Sequence, residues 1–188
     1  MIVPGRVSLM ADSNLRNQLG HEAKRLYVDA AYSSRGHFAE ANGWARWAIV
    51  LGLPIAMASG LSAAGAAATA IFTNYKAVTA GLALLSAVLI SVRGFLRPEQ
   101  SAEAHGVKAA RYLGIKNDAS FFLRIDLESP KPDEELIKQL RDLRKTYADL
   151  TLAPPHRISA KGYEAARKSL EQGEASYEND PIWKELGT

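Results

Sequence analysis

Charged side chains are spread along most of this chain and vanish in its middle. No Asp, Glu, Lys, Arg or His occurs over the 29 positions between Arg46 and Lys76, nor over the 16 between Lys76 and Arg93. A helix rises about 1.5 Å per residue, so about 20 mostly apolar residues cross roughly 30 Å of hydrocarbon. The first run is long enough with room for a turn. The second reaches full length when Lys76 and Arg93 extend their charged ends to an interface along apolar stems. Two spans are predicted, near Trp44 to Ala66 and Lys76 to Leu96, with Ile71 to Tyr75 turning between them. Trp44 and Trp47 at the entry, Tyr75 at the turn and Arg93 at the exit stand where interface anchors belong.

The flanks carry helical periodicity. Leu15, Leu19, Ala23, Leu26, Ala30 and Phe38 recur at helical spacing between Asp12 and Ala41, and Asn42-Gly43 predicts a break before the first span. Pro98 predicts the end of the second span or a kink in it, and Glu99 to Leu113 then resumes a helix. Phe121, Leu123, Ile125 and Leu127 alternate as a strand would, but their helical neighbours favour a helix. After Pro130-Lys131-Pro132, the acids Asp133, Glu134 and Glu135 complement a helix N-terminus, and Leu136, Leu140, Leu143, Tyr147 and Leu150 form one apolar stripe. Pro154-Pro155 stops that helix, Ser159 caps the next, and Tyr163, Ala166 and Leu170 give it a face before Gly173. Both are expected to fold back on the N-terminal helix. The expected fold is all-α, a two-transmembrane helical hairpin with flanking cytoplasmic amphipathic helices. Its parts are an N-terminal helix at 1–43, the hairpin at 44–97, C-terminal helices at 98–173 and a polar tail at 174–188 that holds Trp183.

Charge sets the orientation. Six Lys/Arg precede residue 47, sixteen follow residue 92, and Lys76 alone marks the connection. The positive-inside rule then predicts both termini in the cytoplasm and a short loop outside. The polar stretch Asp12 to Arg46 is unlike a cleavable signal peptide, so an internal insertion signal is expected. A dispersed net charge of +3 does not point to nucleic acid. The absence of cysteine excludes disulfides, thiolate metal sites and a cysteine nucleophile. Residues 47–75 hold nine Ala and three Gly, so the first span is only moderately hydrophobic. A soluble helical bundle with a buried hairpin therefore stands as an alternative.

No catalytic constellation or metal set is visible, no cofactor is expected, and the chain does not read as an enzyme. His21, His37, His105 and His156 are scattered, and His21-Glu22 lacks the second histidine of a helical zinc site. His37 and Glu40, one turn apart, are the best metal or acid/base pair, and are read as a solvated helix face. The informative residues lie in the spans. Gly52, Ala56, Gly60, Ala64 and Ala68 recur every four residues, as do Thr79, Ala83, Ala87 and Ser91. Such rows let backbones approach closely in lipid. They serve either self-assembly or the packing of the two helices on each other, and an Ala-rich segment also produces them by chance. Pro54 frees the carbonyl of Val50, a possible kink, and Ser59, Ser62, Thr69 and Thr73 either line a water path or bond back to their own helix.

This layout resembles the SLATT family, two-transmembrane effector domains associated with nucleotide-signal synthetases and sensor proteins of prokaryotic conflict systems. YVDAAYSSRGHFAEANGW (Tyr27 to Trp44), the two spans, LRDLRKTYADLTLAPPHRIS (Leu140 to Ser159) and GYEAARKSL (Gly162 to Leu170) carry the resemblance, which covers roughly Leu15 to Leu170. It implies a membrane effector of an anti-phage or conflict system, which oligomerises to form a pore or perturb the membrane when a cytoplasmic sensor or nucleotide-signal synthetase partner triggers it. The partners expected are the lipid bilayer, further copies of the chain and that trigger. The alternative among membrane proteins is a non-conducting anchor or scaffold for a cytoplasmic partner.

Overall fold

A computed structural model describes residues 5–69, 76–155 and 157–172. Among them the chain is all-α, without a strand: α1 (Gly5–Thr69), α2 (Lys76–Leu96), α3 (Pro98–Phe121) continued by a π-turn (Phe122–Asp126), α4 (Asp133–Leu152) and α5 (Ala160–Glu171). The expected turn at Ile71 to Tyr75 and the polar tail at 174–188 lie outside the described residues. The chain divides into two compact units, Met1–Glu40 with His105–Thr188, and Ala41–Ala104.

The break expected at Asn42-Gly43 is not there, because α1 runs through it. A helical glycine costs about 1 kcal/mol against alanine, which is too little to stop a cooperative helix with strong hydrogen-bonded turns on both sides. A side chain at Gly43 would meet nothing within 4 Å, so no tertiary contact forces a break either. Pro98 acts as expected. It opens α3 after a single intervening residue, Arg97, whose φ of 44° is left-handed. The Arg97 amide closes α2 by donating to the Arg93 carbonyl at 2.9 Å, and its own carbonyl accepts from Ser101 at 3.1 Å.

In the first unit the predicted stripes meet. Leu19, Ala23, Leu26, Tyr27 and Ala30 of α1 pack with Tyr112, Ile115, Ala119 and Phe122 and with Leu136, Leu140 and Leu150 of α4. Phe122 and Leu136 are fully enclosed, and truncating either to alanine costs about 3–5 and 2–5 kcal/mol respectively. Phe38, read as part of the α1 stripe, instead stands 41% exposed. The segment 121–127 is helical, as its context predicts, but wound wider: the Leu127 amide donates five residues back, to the Phe122 carbonyl, at 2.9 Å. That turn buries Phe122 and Asp126 and leaves Phe121 and Ile125 outside, so the strand-like alternation has no sheet to serve.

Arg16 organises the connection that follows. Its guanidinium donates to the carbonyls of Leu127 (2.9 Å), Ser129 (3.1 Å) and Lys131 (2.9 Å) and pairs with Asp133 at 3.0 Å. One rigid fork thus satisfies three backbone acceptors and fixes the entry to α4. The last helix is held by close approach. Ser159 caps α5 by accepting from the Gly162 amide at 3.1 Å, while Glu40 of α1 accepts from the Ser159 amide at 2.7 Å. Ile158 fills the space over Gly36, where an added Cβ would lie 2.6 Å from its Cδ1. Tyr163 stacks on Tyr32 at 6.3 Å, and Tyr147 shares a 3.1 Å hydrogen bond with Ser33. α4 and α5 therefore do fold back on the N-terminal helix.

Candidate functional site

The second unit pairs the end of α1 with α2. A Cβ at Gly52 would lie 3.1 Å from the Arg93 guanidinium, and one at Gly65 would lie 2.6 Å from the Thr79 hydroxyl, so the two helices run antiparallel. The less exposed positions trace the contact: Leu51, Ile55, Ala58, Ser62 and Gly65 on α1, and Thr79, Leu82, Ser86, Leu89 and Arg93 on α2. Two hydroxyls bond within their own helix, Ser86 to the Leu82 carbonyl at 2.9 Å and Ser91 to the Ala87 carbonyl at 2.8 Å. Serines that bond back in this way need no water beside them.

The rest of the pair faces outward. Ile49, Leu53, Met57 and Leu61 on α1 and Val78, Leu84, Val88, Ile90 and Phe95 on α2 are each more than half exposed. Only 11% of the most apolar 18-residue window in α1 is buried, and 6% of that in α2. These helices are long and apolar enough to cross a membrane, and they are not the core of this chain.

The rows of small residues divide between the two faces. Gly52 and Thr79 lie at the contact between the helices, whereas Ala56, Gly60, Ala64, Ala83 and Ala87 are exposed. At 100° per residue, Gly60 stands about 160° from Ala58, on the side of α1 away from α2. A Cβ on Gly60 would meet nothing within 4 Å. Pro54 is exposed within an unbroken α1, Trp47 is 54% exposed, and Trp44 is half-buried. Tyr75 lies outside the described residues. Arg93 reaches along Gly52, which leaves room for its guanidinium, and pairs with Glu99.

Sequence reasoning missed the densest polar cluster, which lies in the first unit. His37 is no solvated side chain: it is 2% exposed, and its Nδ1 lies 2.8 Å from Nδ1 of His105, itself 6% exposed. The Tyr112 ring stacks on His37 at 5.6 Å, and its hydroxyl shares a 3.0 Å hydrogen bond with Thr151. Lys108, 3% exposed, donates to the carbonyls of Ala153 and Pro155, the latter at 2.8 Å. Burial, reinforced by the nearby His105 and Lys108 and opposed by Glu40, pushes the His37 imidazole down to about 4. Burial also lowers His105 and Lys108 and raises the Tyr112 phenol. His37 and His105 are 68 residues apart, and each falls on a helix face that no periodicity marks as facing the other. No set of three or more His, Asp, Glu or Cys able to hold a metal occurs among the described residues.

No family model, no curated protein and no solved structure matches the chain.

Proposed function

We propose that this protein is a membrane effector. The apolar pair crosses a bacterial inner membrane with both termini in the cytoplasm, and copies assemble through the outward small-residue rows to open a path or perturb the bilayer. The setting proposed is the one the SLATT resemblance implies, a conflict system in which a cytoplasmic sensor or nucleotide-signal synthetase supplies the trigger. The observation that carries the reading is the outward apolar surface of both helices. A soluble bundle would bury those side chains in its own core, at about 25 cal/mol for each Å² removed from water, and this chain does not. In lipid the same surface meets its preferred surroundings, and the backbone is satisfied within each helix.

The outward rows supply the assembly contact. Glycine in an exposed helix costs about 1 kcal/mol against alanine, and nothing inside the chain uses the missing Cβ of Gly60 or Gly81. A neighbouring helix in the bilayer would use it, since small residues are what allow close packing there. Gly60→Leu is accordingly expected to abolish assembly and toxicity while the chain still inserts. Gly65→Leu is expected to separate α1 from α2 themselves. Equal behaviour of the two variants in a growth assay and in crosslinking would sink the assembly surface.

The experiment for the function is expression in bacteria with membrane potential followed by a dye, beside a chain whose residues 44–96 are replaced by a soluble linker. Depolarisation that needs the apolar pair, alone or with a co-expressed partner, is the expected result. Insertion without any fall in potential would make the protein a non-conducting anchor.

A further inference from the structure

Between Lys76 and Asp126 one residue alone is not helical. Arg97 stands between α2 and α3 with a φ of 44°, a left-handed backbone that a residue bearing a Cβ adopts only at a cost. The alternative is not free either. A right-handed Arg97 would join α2 to α3 in one helix, but the ring of Pro98 crowds a helical residue before it and offers no N–H to the Gly94 carbonyl. A helix that continues through a proline does so with a kink. The hydrogen bonds on either side already suit that continuation: the Arg97 amide donates four residues back to Arg93, and its carbonyl accepts from Ser101. One residue thus chooses between a bend and a kinked helix, each carrying its own steric cost.

A single guanidinium favours the bend. Arg93, in the last turn of α2, donates from Nε to Oε1 of Glu99, in the first turn of α3, at 2.9 Å, and its Nη2 pairs with the same oxygen. The third nitrogen, Nη1, lies 3.1 Å from where a Cβ of Gly52 would stand, so the missing side chain on α1 gives the group its seat. One planar side chain therefore joins α1, α2 and α3. In a continuous helix, residues 93 and 99 would be separated by about 9 Å along the axis and about 120° around it, facing different sides. The pair belongs to the bent state only.

The place of the bend gives it a consequence. The chain passes from one compact unit to the other inside α1, which is unbroken there, and inside α3, shortly after Arg97. We propose that Arg97 is a two-state elbow, bent while Arg93 and Glu99 are paired and extended into a kinked α2–α3 helix when that pair breaks. Extension changes the direction in which α3 leaves α2 and releases Arg93 from its seat on α1. The elbow does not depend on the membrane reading, because it involves only Gly52 and residues 93–101.

The test is the distance between spin labels at Leu85→Cys and Ala104→Cys, read by pulsed electron resonance on the full chain in detergent. The chain has no other cysteine, and dilution with unlabelled protein leaves only distances within one copy. A continuous helix from 85 to 104 spans about 28 Å, and the bend shortens that distance. Glu99→Gln, which removes an exposed pair, is expected to raise the ratio of long to short distances about fivefold. Arg97→Gly, which relieves the left-handed strain, is expected to lower it about fivefold. Arg93→Gln should match Glu99→Gln, and the two together should do no more than either alone, since they remove one interaction. Additive effects of that pair, shifts of Glu99→Gln and Arg97→Gly in the same direction, or one distance unchanged in every variant would overturn the elbow.

Discussion

One added methyl group should have opposite effects at Gly162 and at Gly114, although both are helical glycines of the same unit. A Cβ on Gly162 collides with Oε1 of Glu40 and lies 2.8 Å from Cγ2 of Ile158. Glu40 must then move, releasing the Ser159 amide that it holds at 2.7 Å at the N-terminus of α5. Losing that charge-assisted bond at a half-exposed position costs about 1–2 kcal/mol, and crowding Ile158 adds about 1–3. Alanine returns up to about 1 kcal/mol of helix propensity. The net for Gly162→Ala is a loss of about 1–5 kcal/mol in the docking of α5, a rise of roughly 5- to 5,000-fold in its opening. At Gly114 a Cβ meets nothing within 4 Å, so only the propensity changes and Gly114→Ala stabilises α3 by up to about 1 kcal/mol. Hydrogen exchange over 160–171 and 110–120 reads both. Unchanged protection of α5 in Gly162→Ala, or a loss of protection in Gly114→Ala, would refute the reasoning.

Arg16→Lys should destabilise the first unit by about 2–4 kcal/mol despite keeping the charge, because an ammonium cannot serve Leu127, Ser129, Lys131 and Asp133 together; denaturant titration measures it, and a change below 0.5 kcal/mol would contradict it. Arg97→Gly removes a left-handed φ of 44° from a side-chain-bearing residue and should add about 1 kcal/mol, seen as a higher Tm in detergent. A lower Tm would mean that the arginine side chain outweighs its backbone strain. Unfolding stability should fall as pH drops from 6.5 towards 4, by about 3 kcal/mol from His37 when complete. A profile flat across that window would mean that His37 is as easily protonated folded as unfolded.

What the sequence made legible is what depends on one helix at a time. The stripe Leu136, Leu140 and Leu150, the acids at 133–135 and the serine cap at 159 define α4 and α5 without reference to any neighbour. The uncharged runs likewise mark the two apolar helices, and Pro98 ends α2. What escaped depends on pairs distant in sequence. Asn42-Gly43 is a local stop signal outweighed by the helix on both sides. The row Gly52, Ala56, Gly60 is continuous along the chain, but the partner α2 takes Gly52 and leaves Gly60 facing away. His37 reads as a polar residue on a polar face until α3 brings His105 and Lys108 against it, after which it is buried. The wide turn at 122–126, which buries Phe122 and Asp126 together, appears in the sequence only as an ambiguous alternation.

A membrane effector of this kind requires the apolar pair to cross a bilayer and return. The chain has no cysteine, so single cysteines report side by side without background. Asn74→Cys, between the two helices, should react with a membrane-impermeant maleimide in intact cells. Asn14→Cys and Asp149→Cys should react only after the membrane is opened, and all three proteins should stay in the membrane fraction at alkaline pH. If Asn74→Cys is labelled only together with the other two, or if the chain washes off as a soluble protein, the hairpin does not cross and the effector reading falls with it.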